Sequence, residues 1–208
     1  MRPGIAFVAH HPILRPLALA IGLSNAAWAA ELALYVLYLA RGLGLSPALI
    51  GLTLAAGGPG ALVGSALAGR VQRRIGVSGA VIGGLSVFAL AALLIPFAPG
   101  HDPAVAVPLL MVAAFGMPAG GQVCAVNVLT TRQLLSPEPL LGRVNASFRF
   151  AGLGVSPLGA LLGGVLGAAV GLRAALLVAV GGMLLAPLIV AVSPVRRLRD
   201  LPAQAGTA

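Results

Sequence analysis

Apolar residues run along this chain in six long stretches, at residues 16–40, 47–69, 79–98, 104–129, 145–170 and 173–193, separated by short segments containing Arg, Pro and Gly. At 1.5 Å rise per residue, about 20 helical residues cross a hydrocarbon layer of about 30 Å, so each stretch is long enough to span it. Strict alternation of apolar and polar positions, the mark of barrel strands, is missing from them. In lipid, a non-barrel segment can satisfy its own backbone only as a helix. The pattern predicts an all-α membrane protein of six transmembrane helices. The last two are divided only by Gly171-Leu172-Arg173, where glycine frees the backbone for a turn and arginine marks the membrane surface.

Composition sharpens this picture. Of 208 residues, 59% are hydrophobic and 8% charged, against roughly a quarter charged in soluble domains. The formal net charge of +9 raises the possibility of a polyanion partner. All 13 basic residues are arginine, however, and they sit at the ends of apolar stretches, so they report topology and not nucleic-acid binding. Arg2 and Arg15 precede the first span, Arg70, Arg73 and Arg74 join the second to the third, Arg132, Arg143 and Arg149 flank the join of the fourth and fifth, and Arg196, Arg197 and Arg199 follow the sixth. The opposite face has only Arg41 and Arg173. The positive-inside rule then places both termini in the cytoplasm of a multi-pass protein of the plasma (inner) membrane. The first 15 residues lack the short apolar core and small-residue cleavage site of a secretory signal.

Prolines at 96, 99, 103 and 108 surround Gly100-His101-Asp102 and predict an external loop at 99–103. The chain therefore divides into a cytoplasmic lead-in (1–15), a three-helix group (16–98), that loop, a second three-helix group (104–193) and a cytoplasmic tail (194–208). Small residues predict where helices approach closely, since lipid-embedded helices associate through backbone proximity more than through apolar burial. Gly159, Gly163, Gly167 and Gly171 form one ridge of the fifth span, beside Gly152, Ser156, Ala160, Gly164 and Ala168. Gly60, Gly64 and Ala68 repeat the device in the second span, next to Gly57, Ala61, Ser65 and Gly69. Both helices are expected to be buried and tightly crossed.

Candidate chemistry concentrates in the first span, which holds the only Trp, both Tyr residues and the only acidic residue inside a span. At 100° per residue, Ser24, Trp28, Glu31, Tyr35 and Tyr38 share an arc of about 80°. An ionisable group near mid-membrane costs about 3 kcal/mol on insertion scales and is usually turned to a cavity or a partner. Glu31 is suited to exchange a proton or to attract a cationic substrate, with the rings stacking on that substrate. The alternative is that the rings anchor at the outer interface while Glu31 snorkels or pairs with Arg41. Gln122 and Asn127 in the fourth span are candidates for a pathway or for interhelical hydrogen bonds. Asn145 and Arg149, four apart, are expected to pair at the cytoplasmic end.

Enzyme signatures are weak. Gly76-Val77-Ser78-Gly79 matches the GxSG string of intramembrane serine proteases, but His10, His11 and His101 all lie outside the spans, so no base is at hand. Cys124 is the only cysteine and reads as a small core residue. No residue cluster suggests a metal site or a bound cofactor, and no glycine-rich loop ends in GK[ST], so any energy must come from an ion gradient.

Three stretches resemble the major facilitator superfamily, in particular the drug-proton antiporter branch with macrolide and siderophore exporters. Gly4-Ile5-Ala6-Phe7-Val8 with His11-Pro12-Ile13-Leu14-Arg15 resembles the end of that family's central cytoplasmic loop. Ser65 to Arg74 resembles the signature loop between the second and third helices of each half, with Gly69 and Gln72 in place of the usual aspartate and glycine. Arg132-Gln133, Pro137, Leu140-Leu141-Gly142-Arg143-Val144-Asn145-Ala146-Ser147 and Pro157 to Gly164 resemble the connection of the tenth and eleventh helices. The resemblance implies one six-helix half of the fold, made of two inverted three-helix repeats, in a proton-coupled efflux transporter of amphipathic organic compounds or drugs. It further implies cytoplasmic anchoring or gating by Arg70, Arg73, Arg74, Arg132, Arg143, Asn145 and Arg149. A second half, from another chain or a second copy, is the expected partner beside lipid and a small-molecule substrate; the chain reads as a fragment, a split-gene product or a half-size protein. A non-transporting membrane scaffold or assembly subunit is the alternative.

Overall fold

Every regular element among the described residues is helical, as backbone self-satisfaction in lipid demands. The structure, a computed structural model, describes residues 2–100 and 102–197. His101, Arg199 and the tail Leu201–Ala208 lie outside them, as do the side chains of Arg2 and Arg197. In chain order the helices are α1 (Arg2–His10), α2 (Leu14–Leu37), α3 (Pro47–Ala55), α4 (Gly57–Leu93), α5 (Pro103–Leu135), α6 (Glu138–Leu153), α7 (Ser156–Val170) and α8 (Leu172–Val192). Five helical runs are long and apolar enough to cross a membrane: Leu14–Gly42, Pro47–Phe97, Pro103–Leu135, Glu138–Val170 and Leu172–Val192.

The second run covers two of the expected spans. Its connecting segment stays helical through Arg70, Arg73 and Arg74 and breaks only at Gly76, whose φ of 74° and ψ of 173° lie outside the range L side chains prefer. The direction of the chain reverses there. Before the break, Gly60 meets the backbone of Phe115 and Gly64 that of Ala119, so this arm runs along α5 in the same sense. After it, Gly84 meets Gly120 while Ala91 meets Gly116, so the second arm runs the opposite way.

Proline chemistry corrects two further expectations of continuous helix. The expected second span is interrupted at Ala56, three residues before Pro59, and the fifth at Gly154-Val155, ahead of Pro157. In each case the proline lacks an N–H and its ring crowds the carbonyl four residues back. By contrast, the start of α5 is well made. Pro103 occupies its first turn and the Asp102 side chain accepts a hydrogen bond from the Ala104 N–H at 2.9 Å.

The glycine ridges pack as close contacts, but with partners the sequence did not name. Gly159 and Gly163 lie against the backbone of Ala26 and Ala30 on α2, and Gly167 against the Leu34 side chain. The neighbouring ridge runs from buried Gly152 through half-buried Ser156 and Ala160 to exposed Gly164 and Ala168, with open space around Gly164. The expectation that the fifth span is buried is therefore corrected in its second part: Leu158, Leu161, Leu162 and Val165 of α7 are all exposed, and α7 meets α2 along its glycine edge. Apolar exposure of this kind faces lipid.

Two buried clusters sit at opposite ends of the bundle. One joins Tyr38, Leu39, Leu43, Ile50, Ile95, Ala106 and Leu176; the other joins Val8, Leu14, Val81, Val128, Val144, Phe148, Val190 and Val195. The lead-in is not extended. It forms α1, which packs on α6 with Gly4 against the Arg143 backbone.

Candidate functional site

A cavity of about 520 Å³ lies where α2, α4 and α5 meet, with one contact from α3 at Leu54. Ser24, Trp28, Glu31 and Tyr35 reach it from successive turns of α2, as the helical period requires, and Gln122 reaches it from α5. The far walls are mainly apolar, with Leu85 and Phe88 from α4 and Met117 and Cys124 from α5. Trp28, Leu32 and Leu54 line the cavity and are themselves exposed, which marks its open side.

Glu31 is 3% exposed, and its Oε2 accepts no hydrogen bond among the described residues. No arginine lines the cavity, and Arg41 is exposed on the turn that follows α2. A charge on Glu31 therefore has no fixed counter-ion in the cavity. One turn further, the Tyr35 hydroxyl donates to Thr53 Oγ1 at 3.5 Å, and Thr53 donates to the Ile50 carbonyl at 2.8 Å. These bonds hold the Tyr35 ring against α3.

Two expected lining residues are not in the cavity. Tyr38 shares the face of Glu31 but lies two turns beyond it, past Ile95, and its hydroxyl donates to the Pro96 carbonyl at 3.3 Å. It stands at the start of a π-helical turn, Tyr38–Gly42, with Gly42 against its ring. Asn127 lies one turn below Cys124, fully buried, its Nδ2 donating to the Val123 carbonyl and its Oδ1 unpartnered. Asn25 and Thr53 were missed. Asn25 sits about 60° around α2 from Trp28, just outside the arc that defined the expected face, and it lines the cavity. Thr53 sits in a stretch with no other polar side chain, a signal the sequence did carry.

Toward the other buried cluster, Arg132 lies over the Phe148 ring at 4.6 Å and ties α5 to α6, while its Nε is buried without a partner. The expected pair of Asn145 and Arg149 does not form: Asn145 Oδ1 is buried and unpartnered, and Arg149 is exposed. Arg70, Arg73, Arg74 and Arg143 are exposed. Ser78, the serine of the protease-like string, donates to the Arg196 carbonyl at 3.2 Å and fastens α4 to the turn after α8.

The major facilitator superfamily model matches residues 17–207, nearly the whole described bundle. The chain belongs to the Major Facilitator Superfamily. Comparison with curated proteins found no match. Superfamily membership makes this a multi-pass membrane transport protein.

Proposed function

We propose that this superfamily member is a six-pass half of a proton-coupled exporter of amphipathic organic compounds, seated in the plasma (inner) membrane with both termini in the cytoplasm. The observation that carries the reading is Glu31, an unpartnered carboxyl in a cavity otherwise lined mainly by apolar and aromatic groups. A buried charge without a partner is costly, so the site favours occupancy by a proton or a cation, which is what coupling requires.

Six passes are supported by the reversal at Gly76, because an unbroken 37-residue helix would extend about 55 Å. The parallel pairing of α2 with α7, and of the first arm of α4 with α5, favours two related three-helix groups joined at 99–103. The orientation is supported by charge. Arg15, Arg143 and Arg196 belong to the end that gathers α1, α6 and the close of α8, whereas Arg41 and Arg173 belong to the other. The open side at Trp28, Leu32 and Leu54 is where a second six-helix half, another chain or a second copy, would close the cavity. In that assembly Arg70, Arg73, Arg74, Arg132, Arg143, Asn145 and Arg149 form the cytoplasmic anchoring and gating layer.

Dye retention in cells tests the reading. Expression should lower the retained amount of a fluorescent amphipathic dye, a protonophore should restore it, and Glu31→Gln should abolish the effect at equal membrane abundance. Unchanged efflux by Glu31→Gln would remove Glu31 from coupling.

A further inference from the structure

We propose that the corner where α5 meets α6 holds the phosphate of an anionic phospholipid, with the Arg132 guanidinium and the Ser136 hydroxyl as its donors. The proposal does not need the exporter reading. Arg132 lies in the last turn of α5, and its guanidinium stands 4.6 Å from the centre of the Phe148 ring on α6. A ring face attracts the charge but gives the Nε–H no oxygen to bond, and that Nε is buried without a partner. Ser136 stands at the C-terminal cap of the same helix, its N–H donating to the Arg132 carbonyl at 3.1 Å. The residue is 8% exposed, and its Oγ is also buried and unpartnered. Asn145, one turn before Phe148 on α6, adds a third unpaired atom in its Oδ1. The corner therefore carries polar groups that it does not satisfy internally, each costly where water is scarce.

The donors select the ligand. Guanidinium is cationic throughout the working pH range, a serine hydroxyl donates, and turning the Asn145 amide over presents its NH2 in place of its oxygen. Such a set suits an oxyanion with several acceptor oxygens, and phosphate is the one that a membrane surface supplies. Arg143 and Arg149, both exposed on α6, add attraction, against one acid of that helix, Glu138, exposed on its first turn. α6 packs mainly on α1 and α2 and only lightly on α5, and Arg132 and Asn145 are half-buried, so the corner is reachable from outside. A lipid is favoured over a free phosphate by the surface beside it. Leu129, one turn before Arg132, and Leu153, one turn after Arg149, are exposed on the membrane side of the corner, where an acyl chain covers them. A carboxylate of a second half is the competing occupant.

The full chain, purified in uncharged detergent with any partner half that accompanies it, is titrated with dioctanoyl phosphatidylglycerol, dioctanoyl phosphatidylcholine and glycerol 3-phosphate while its melting temperature is followed. Saturable stabilisation by phosphatidylglycerol is expected at concentrations about tenfold or more below those at which either comparator acts. Arg132→Gln should raise the half-saturating concentration about tenfold or more, and Arg70→Gln, which removes an exposed arginine elsewhere, less than about threefold. Ser136→Ala is the variant that keeps the fold, because the Oγ bonds to nothing in the protein. Its melting temperature without lipid should hold, while its half-saturating concentration rises about threefold or more. Equal action of glycerol 3-phosphate would show a site for free phosphate, and equal losses in Arg132→Gln and Arg70→Gln would show diffuse attraction. Absence of saturable stabilisation in the complex with a second half would leave Arg132 to a carboxylate of that half. Each of these three results overturns the inference.

Discussion

At the scale of single residues, the fold depends on side chains that are missing. Where Gly163 crosses α2, an added Cβ would come within 2.7 Å of the Ala30 Cα, and backbone cannot yield as a flexible side chain does. Gly163→Leu should therefore force α7 off α2 at a cost of about 1–3 kcal/mol or more, read as a lower melting temperature in detergent. The same change at Gly164, which has open space, should shift it little. The two glycines are adjacent in sequence, so the pair separates packing from helix propensity. The sequence announced the close-approach ridge through its four-residue spacing, but not which of two neighbouring ridges would be used, because both satisfy the same spacing and only the three-dimensional partner chooses. Glu31 was legible for the same periodic reason: its turn-by-turn neighbours Ser24, Trp28 and Tyr35 share its face and its cavity. Tyr38 shares the face as well, but a helical wheel has no height, and two turns carry it beyond Ile95.

At the scale of elements, local chemistry decides where helices stop. Gly76 allows a reversal within one residue, so the segment expected as a loop from Arg70 onward remains helical. Pro59 and Pro157 interrupt runs that hydropathy alone reads as continuous, since apolarity fixes which residues face lipid and says nothing of carbonyl clashes. The junction of α1 and α2 carries a pH-sensitive cap. The His11 Nδ1 accepts from the N–H groups of Ile13 and Leu14 at 3.2 and 3.3 Å, its ring lies 5.4 Å from that of Phe7, and burial lowers its pKa from 6.5. The lone pair that accepts these bonds exists only while that nitrogen is unprotonated. Because the folded pKa is depressed, the stabilisation is present above about pH 6.5 and is lost as pH falls through the lowered value. Amide exchange at Ile13 and Leu14 should accelerate on acidification beyond the intrinsic trend in the wild type, and His11→Gln should flatten that response. An unchanged wild-type profile would show that the cap contributes nothing.

At the scale of the whole molecule, arginine distribution and helix direction make one statement about topology. Tags at the two ends should both be reached by an impermeant reagent only after the cytoplasmic side is opened, and a cysteine placed at Gly44, on the turn after α2, should react from outside in intact cells. Ends on opposite sides would contradict the reversal at Gly76. The lipid-facing bundle was readable from stretch length and charge, because those two quantities are set by the bilayer itself. The cavity was not readable as a volume, since it depends on how far α4 and α5 stand from α2. In the proposed exporter, Glu31 couples solute movement to protons. The direct measurement reconstitutes the complex isolated from membranes into proteoliposomes with an imposed pH gradient and follows a lipophilic cation. Wild type should accumulate the cation against its concentration gradient in exchange for protons, in a protonophore-sensitive way, and Glu31→Gln should not; accumulation that persists in Glu31→Gln, or that ignores the pH gradient, would contradict it.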